Sequence, residues 1–233
     1  MKTKLFTIAM MVAFIMTAMT KVQAQNFEGP CLPSSHGLTG HQSAFCGSIL
    51  TQTIALSAGW NWFSVYVEGD AVELIQALEN GLGDKGITIK GSEISTDYYE
   101  DFGWFGELDA LGIVNEQMYL INVSESCTVE LQGTPANPAN HTITINPGWN
   151  WIGFPCAEAV SVAVALGGFE AVEGDVLKSS ETSTDYYGED FGWFGGLETL
   201  EPGQGYLYKY NGTTPKSLVF STTAGGKSVF LRK

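Results

Sequence analysis

Apolar and polar residues alternate over short stretches from about residue 50 onward, and turn formers break the alternation every few residues. Ile54 and Leu56 alternate with Thr53 and Ala55, and Trp60 and Trp62 follow across Ala58-Gly59. This pattern predicts a β-hairpin with a tight glycine turn. Further strands are predicted at Ile87–Lys90, Met118–Val123 and Thr128–Leu131. One stretch has helical spacing instead. Leu74, Ile75 and Leu78 form an apolar stripe after Asp70, a predicted N-cap with Glu73 as its capping-box partner, and Gly81 is the expected stop.

The whole pattern then recurs. Ile54–Phe63 reads IALSAGWNWF and Ile143–Ile152 reads ITINPGWNWI. Ser95–Gly106 reads STDYYEDFGWFG, and Ser183–Gly195 repeats it with Gly188 inserted. Ile89–Glu93 pairs with Leu177–Glu181, and Met118–Val123 with Gly205–Tyr210. Four landmarks in one order at nearly constant spacing define a duplication. The expected fold is therefore mainly β, two tandem pseudo-repeats of antiparallel structure with one short helix each, arranged as a β-sandwich. In the second copy strands are predicted at Val176–Lys178, Tyr206–Tyr210 and Leu218–Phe220, with a weaker helix at Val160–Leu166. The boundaries are 51–133 for the first repeat, 134–140 for a Pro/Asn linker short enough to hold the copies together, 141–222 for the second repeat and 223–233 for a tail.

These landmarks resemble a GWNW-type tandem repeat of exported and surface proteins of Bacteroidota. The matching stretches are Leu56–Ser64, Ile89–Ser92, Tyr98–Leu108 and Tyr119 in the first copy. In the second they are Ile145–Gly153, Leu177–Ser180, Tyr187–Leu197 and Pro202–Tyr206. The resemblance covers nearly the whole of the chain after residue 24. It implies an extracellular setting and carries no activity with it.

The N-terminus supports export. Lys2 and Lys4 precede an apolar run from Leu5 to Met19, and Val22-Gln23-Ala24 offers small residues for cleavage, so 1–24 reads as a signal peptide. A Cys-containing segment, 25–50, follows. No second stretch is long and apolar enough to span a bilayer, so the mature chain is expected in the periplasm, at the cell surface or outside the cell. The full chain carries 11 basic and 25 acidic residues. A surface this acidic disfavours nucleic acid, whose binding depends on neutralising phosphates. In an oxidising compartment the four cysteines can pair, and the expected bridges are Cys31–Cys46 and Cys127–Cys156. A zinc site is disfavoured by the lack of any C-x-x-C pair.

The remaining candidate chemistry lies in the two acidic aromatic segments, expected to be loops. Asp97, Tyr98, Tyr99, Asp101 and Trp104 in one copy match Asp185, Tyr186, Tyr187, Asp190 and Trp193 in the other. Carboxylates beside aromatic faces suit sugar hydroxyls and apolar ring faces, or Ca²⁺, although the spacing is not that of an EF-hand. Of the six tryptophans, Trp60/Trp149 or Trp62/Trp151 are expected inside and Trp104/Trp193 on the loops. The functional expectation is a non-catalytic surface module that binds a glycan or a surface protein. The alternatives are a self-assembling structural subunit and, more remotely, a glycan-cleaving enzyme acting through paired carboxylates.

Overall fold

The computed structural model describes residues 49–223. The expected signal peptide, Cys31 and Cys46, and nearly all of the tail lie outside them. The described chain is mainly β. In the first copy the strands are β1 (Leu50–Leu56), β2 (Gly59–Phe63), β3 (Val67–Glu68), β4 (Gly86–Lys90), β5 (Ser95–Tyr99), β6 (Gly103–Gly106), β7 (Tyr119–Val123) and β8 (Cys127–Pro135). In the second they are β9 (Ile143–Ile145), β10 (Gly148–Ile152), β11 (Val160–Ser161), β12 (Val176–Lys178), β13 (Ser183–Tyr186), β14 (Trp193–Gly195), β15 (Thr199–Leu200), β16 (Tyr206–Tyr210) and β17 (Lys216–Leu218).

Each copy holds one five-stranded antiparallel sheet, ordered β2-β7-β4-β5-β6 in the first and β10-β16-β12-β13-β14 in the second. The registers correspond: Trp60 faces Asn122 and Trp62 faces Leu120, while Trp149 faces Lys209 and Trp151 faces Leu207. A smaller sheet, β1-β8-β3 or β9-β17, covers the inner face of each. Among the described residues no strand pair joins the two copies.

The expected hairpin at Ala58-Gly59 does not form. β1 pairs with β8, and β2 pairs with β7. The chain turns a corner from one sheet into the other, and an asparagine makes the corner. Asn61 Oδ1 accepts from the Ser57 amide at 2.9 Å, and its Nδ2 donates to the carbonyls of Ser57 at 2.7 Å and Gly59 at 3.0 Å. Asn150 does the same with Asn146 (2.8 and 2.7 Å) and Gly148 (3.0 Å). Gly59 and Gly148 sit at φ +92° and +93° with open space where a Cβ would be, so backbone conformation alone demands glycine there.

The two cores are filled differently. In the first, α1 (Ala71–Leu82) lays Leu74, Ile75, Leu78 and Leu82 against Val129, Leu131, Ile121 and Phe63. Asp70 caps it, accepting from the Val72 and Glu73 amides. Gly81 does not end the helix, which runs to Leu82 with Gly83 as its C-cap. Gly81 is glycine for packing, because a Cβ there would press on Val129. A second short helix, α2 (Glu107–Leu111), adds to the single helix expected in this copy. In the second copy α3 spans only Val162–Ala165. Phe169 fills the space instead, stacking edge-on to Tyr208 at 5.5 Å. Buried Asp175 accepts from the Tyr208 hydroxyl at 2.6 Å and from the Val172 and Asn211 amides at 2.9 and 2.7 Å.

The expected Cys127–Cys156 bridge is absent, and both thiols are free. Cys127 packs at the margin of the first core and Cys156 is buried in the second, so each is committed to separate packing. No helix among the described residues is long and apolar enough to cross a membrane.

The copies meet along a reciprocal seam. The Ser64 amide donates to the Gly203 carbonyl, and the Gly153 amide donates to the Glu116 carbonyl, both at 2.9 Å. Ser64 and Gly153 each follow a β2- or β10-type strand, and Gly203 and Glu116 each precede a β16- or β7-type strand. A Cβ on Gly153 would overlap the Asn115 carbonyl oxygen, and one on Gly205 would overlap Met118. Two outcomes follow for equilibrium urea unfolding. Asn61→Ala or Asn150→Ala is expected to cost about 1–2 kcal/mol through the lost corner hydrogen bonds. Gly153→Ala is expected to cost about 1–3 kcal/mol by overpacking the seam, and a neutral result would show that the seam yields freely.

Candidate functional site

The acidic aromatic segments are hairpins, not loops. β5 and β6 pair with Tyr98 opposite Trp104 and Asp97 opposite Phe105, and β13 and β14 pair Tyr186 with Trp193 and Asp185 with Phe194. Alternation along a strand then sorts the candidate residues onto two faces. Tyr98 and Trp104 turn inward, with ring centroids 5.6 Å apart, as do Tyr186 and Trp193 at 5.2 Å. Trp104 packs against the first core and Trp193 against the second. Close apposition explains Gly86, where a Cβ would overlap the Trp104 indole. The Trp104 Nε1 is buried without a hydrogen-bond partner, so its polar edge is not offered at the surface.

The expected placement of the tryptophans does not hold: neither GWNW pair enters the core, and Trp104 and Trp193 stand on strands. Trp104 and Trp193 are half-buried supports on edge strands. Trp60 and Trp149 are the exposed pair, 52% and 54% accessible, while Trp62 and Trp151 are half-buried. The core side of their strands is taken by Phe63 and Ile152.

Asp97 and Tyr99 lie on the outer face, and the register carries that face across the whole sheet. One row reads Trp60, Asn122, Thr88, Asp97 and Phe105 from edge to edge. The second copy reads Trp149, Lys209, Val176, Asp185 and Phe194. The adjacent row contains Trp62, Leu120, Lys90 and Ser95, matched by Trp151, Leu207, Lys178 and Ser183. Phe105 and Phe194 are 73% and 75% accessible, and Tyr99 and Tyr187 are also exposed. At ordinary strand spacing each row is roughly 19 Å long. Lys90 Nζ lies 5.4 Å from the Trp60 ring centroid, within cation–π range. The Thr88 hydroxyl donates to Asp97 at 2.6 Å, which fixes that carboxylate between the aromatic ends.

Asp101 and Asp190 lie in the exposed hairpin turns, away from Asp97 and Asp185 on the strands. The carboxylates of each segment are thus spread along a hairpin rather than gathered around one point. Among the described residues no group of three or more His, Cys, Asp or Glu side chains is placed to hold a metal ion.

The contributors that the sequence reading missed are Trp60, Trp149, Phe105, Phe194 and the lysines Lys90 and Lys178. Their signal was parity. In Gly-Trp-Phe-Gly the Trp and Phe must point to opposite faces, so a Trp buried on the edge strand places the Phe outside.

Comparison with known proteins finds no matching family model, no matching curated protein and no matching solved structure.

One acid stands apart from these faces. Glu79 on α1 is 7% accessible, and one of its carboxyl oxygens is buried without a partner. Burial, with the neighbouring negative charge of Asp109 and a hydrogen bond to it, pushes the Glu79 carboxyl up to about 7. A carboxyl raised in the folded state stabilises most below its unfolded value and loses that contribution as pH rises through about 7. Glu79→Gln is therefore expected to match wild type near pH 4 and to exceed it by about 2 kcal/mol at pH 8. Paired thermal melts at the two pH values check this, and equal differences at both would show that Glu79 is not the titrating group.

Proposed function

We propose that this protein is an exported, non-catalytic module that binds glycans on the aromatic outer faces of its two five-stranded sheets. One observation carries the reading: exposed aromatic rings stand at both edges of each sheet, in matching positions and with matching exposure. Trp60 and Phe105 bracket Asp97, and Trp149 and Phe194 bracket Asp185. Buried aromatics stabilise a fold, whereas rings held in the open on rigid strands present flat apolar surface to a ligand. A sugar ring offers a matching apolar face, and its rim of hydroxyls suits the carboxylate and lysine between the aromatics. The N-terminal signal pattern and the resemblance to surface-protein repeats support an extracellular site of action.

A second reading draws on the hairpin tips. Phe102 and Phe191 are the most exposed aromatics of the described chain and favour association with another protein or another copy.

A glycan array separates the two. Wild type is expected to bind, and Trp60→Ala combined with Trp149→Ala to lose at least tenfold in signal. A blank array with wild type, together with concentration-dependent oligomers in sedimentation that Phe102→Ser and Phe191→Ser abolish, would replace binding with assembly.

A further inference from the structure

The seam between the copies encloses two grooves, of about 540 and 360 Å³, within the size range of small-ligand sites. The first is walled by Trp60, Asn61 and Trp62 of the first copy and by Glu181 and Gln204 of the second. The other is walled by Trp149, Asn150 and Trp151 of the second copy and by Glu93 and Gln117 of the first. Glu181 and Glu93 end corresponding segments of the duplication, and Gln204 and Gln117 each stand just before a corresponding strand. The reciprocal amide bonds of Ser64 and Gly153 hold these walls together. Neither groove exists within a single copy.

We propose that these are two equivalent saccharide sites, each completed by the opposite copy, so that one chain holds two neutral β-linked glucan strands at once. The proposal rests on the glycan-binding reading, shares Trp60 and Trp149 with the open faces, and assigns the ligand class and valency to the seam rather than to the far edges of the sheets.

The chemistry of the walls selects the ligand. Asn61 and Asn150 are occupied in holding the corners. Among the described residues the Glu181, Gln204, Glu93 and Gln117 side chains make no hydrogen bond, and all four residues are exposed. Each groove thus sets a free carboxylate and a free primary amide opposite two indoles. A carboxylate accepts from hydroxyls, and an amide both donates and accepts, which together match neighbouring hydroxyls on one ring. The indoles match a pyranose whose hydroxyls are equatorial, since both of its ring faces are then flat and apolar. The acidic excess of the chain, 25 acidic against 11 basic residues, repels uronic and sulfated sugars and leaves neutral glucans favoured.

Calorimetric titration of the mature chain with cellohexaose tests this. Wild type is expected to show two equivalent sites. Glu181→Ala with Gln204→Ala removes one, Glu93→Ala with Gln117→Ala removes one, and the fourfold variant removes both. Circular dichroism is expected to be unchanged, because these side chains are exposed. Absence of heat with cellohexaose overturns the proposal, and so does a single site in wild type. If the fourfold variant titrates like wild type while Phe105→Ala with Phe194→Ala abolishes binding, the grooves fall and the open-face reading stands. A blank glycan array overturns the wider reading itself.

Discussion

The fold depends on one short-range device, the asparagine that turns Gly-Trp-Asn-Trp around a corner. β1 and β2 are separated by two residues yet belong to different sheets. An uninterrupted strand or a two-residue hairpin would leave both in one sheet and expose the apolar face that each must bury. Asn61 and Asn150 hold the change of direction by satisfying the backbone groups that the corner leaves unpaired. The adjacent glycines supply the positive φ that the corner requires. With the corner set, Phe63 and Ile152 face the cores, and the neighbouring tryptophans are forced outward. The exposure of Trp60 and Trp149 is thus a consequence of strand parity after a fixed turn.

The same corner permits two different fillings behind it. The first copy covers its sheet with a twelve-residue amphipathic helix. The second has only a four-residue helix at Val162–Ala165 and uses Phe169, Tyr208 and the fully bonded Asp175. A second shared feature anchors both. The Val114 amide donates to the Tyr119 hydroxyl at 2.9 Å, as the Glu201 amide does to Tyr206 at 2.6 Å, and burial pushes both phenols up to about 12. These tyrosines lead the strands that lie beside the GWNW strands, so they tie the seam turns to the cores. His141, just past the linker, reaches Glu116 at 2.7 Å and Glu68 at 3.2 Å, adding polar contacts where the chain passes between copies.

Exposure and core packing are separated by face. The inner members of the aromatic segments, Tyr98, Trp104, Tyr186 and Trp193, pack against their own cores. The outer members, with Trp60 and Trp149, form the open surface. Alternate residues of each hairpin thus pack inward or meet solvent, in the same order in both copies.

The duplication, the β-rich architecture, the Asp70 cap and most strand positions were legible in the residues, because alternation, capping and glycine placement act over a few neighbours. Three features were not. Whether β1 pairs with β2 depends on distant β7 and β8; whether Trp104 is covered depends on Gly86 and on core packing; and the seam depends on backbone contacts between segments far apart in the chain, Ser64 with Gly203 and Gly153 with Glu116. Local sequence determined which elements form and which side chains share a face. Only the tertiary structure decided which face meets water, which strands pair, and how the opposite copy completes each groove, because burial and long-range hydrogen bonding are set by segments that no local pattern relates.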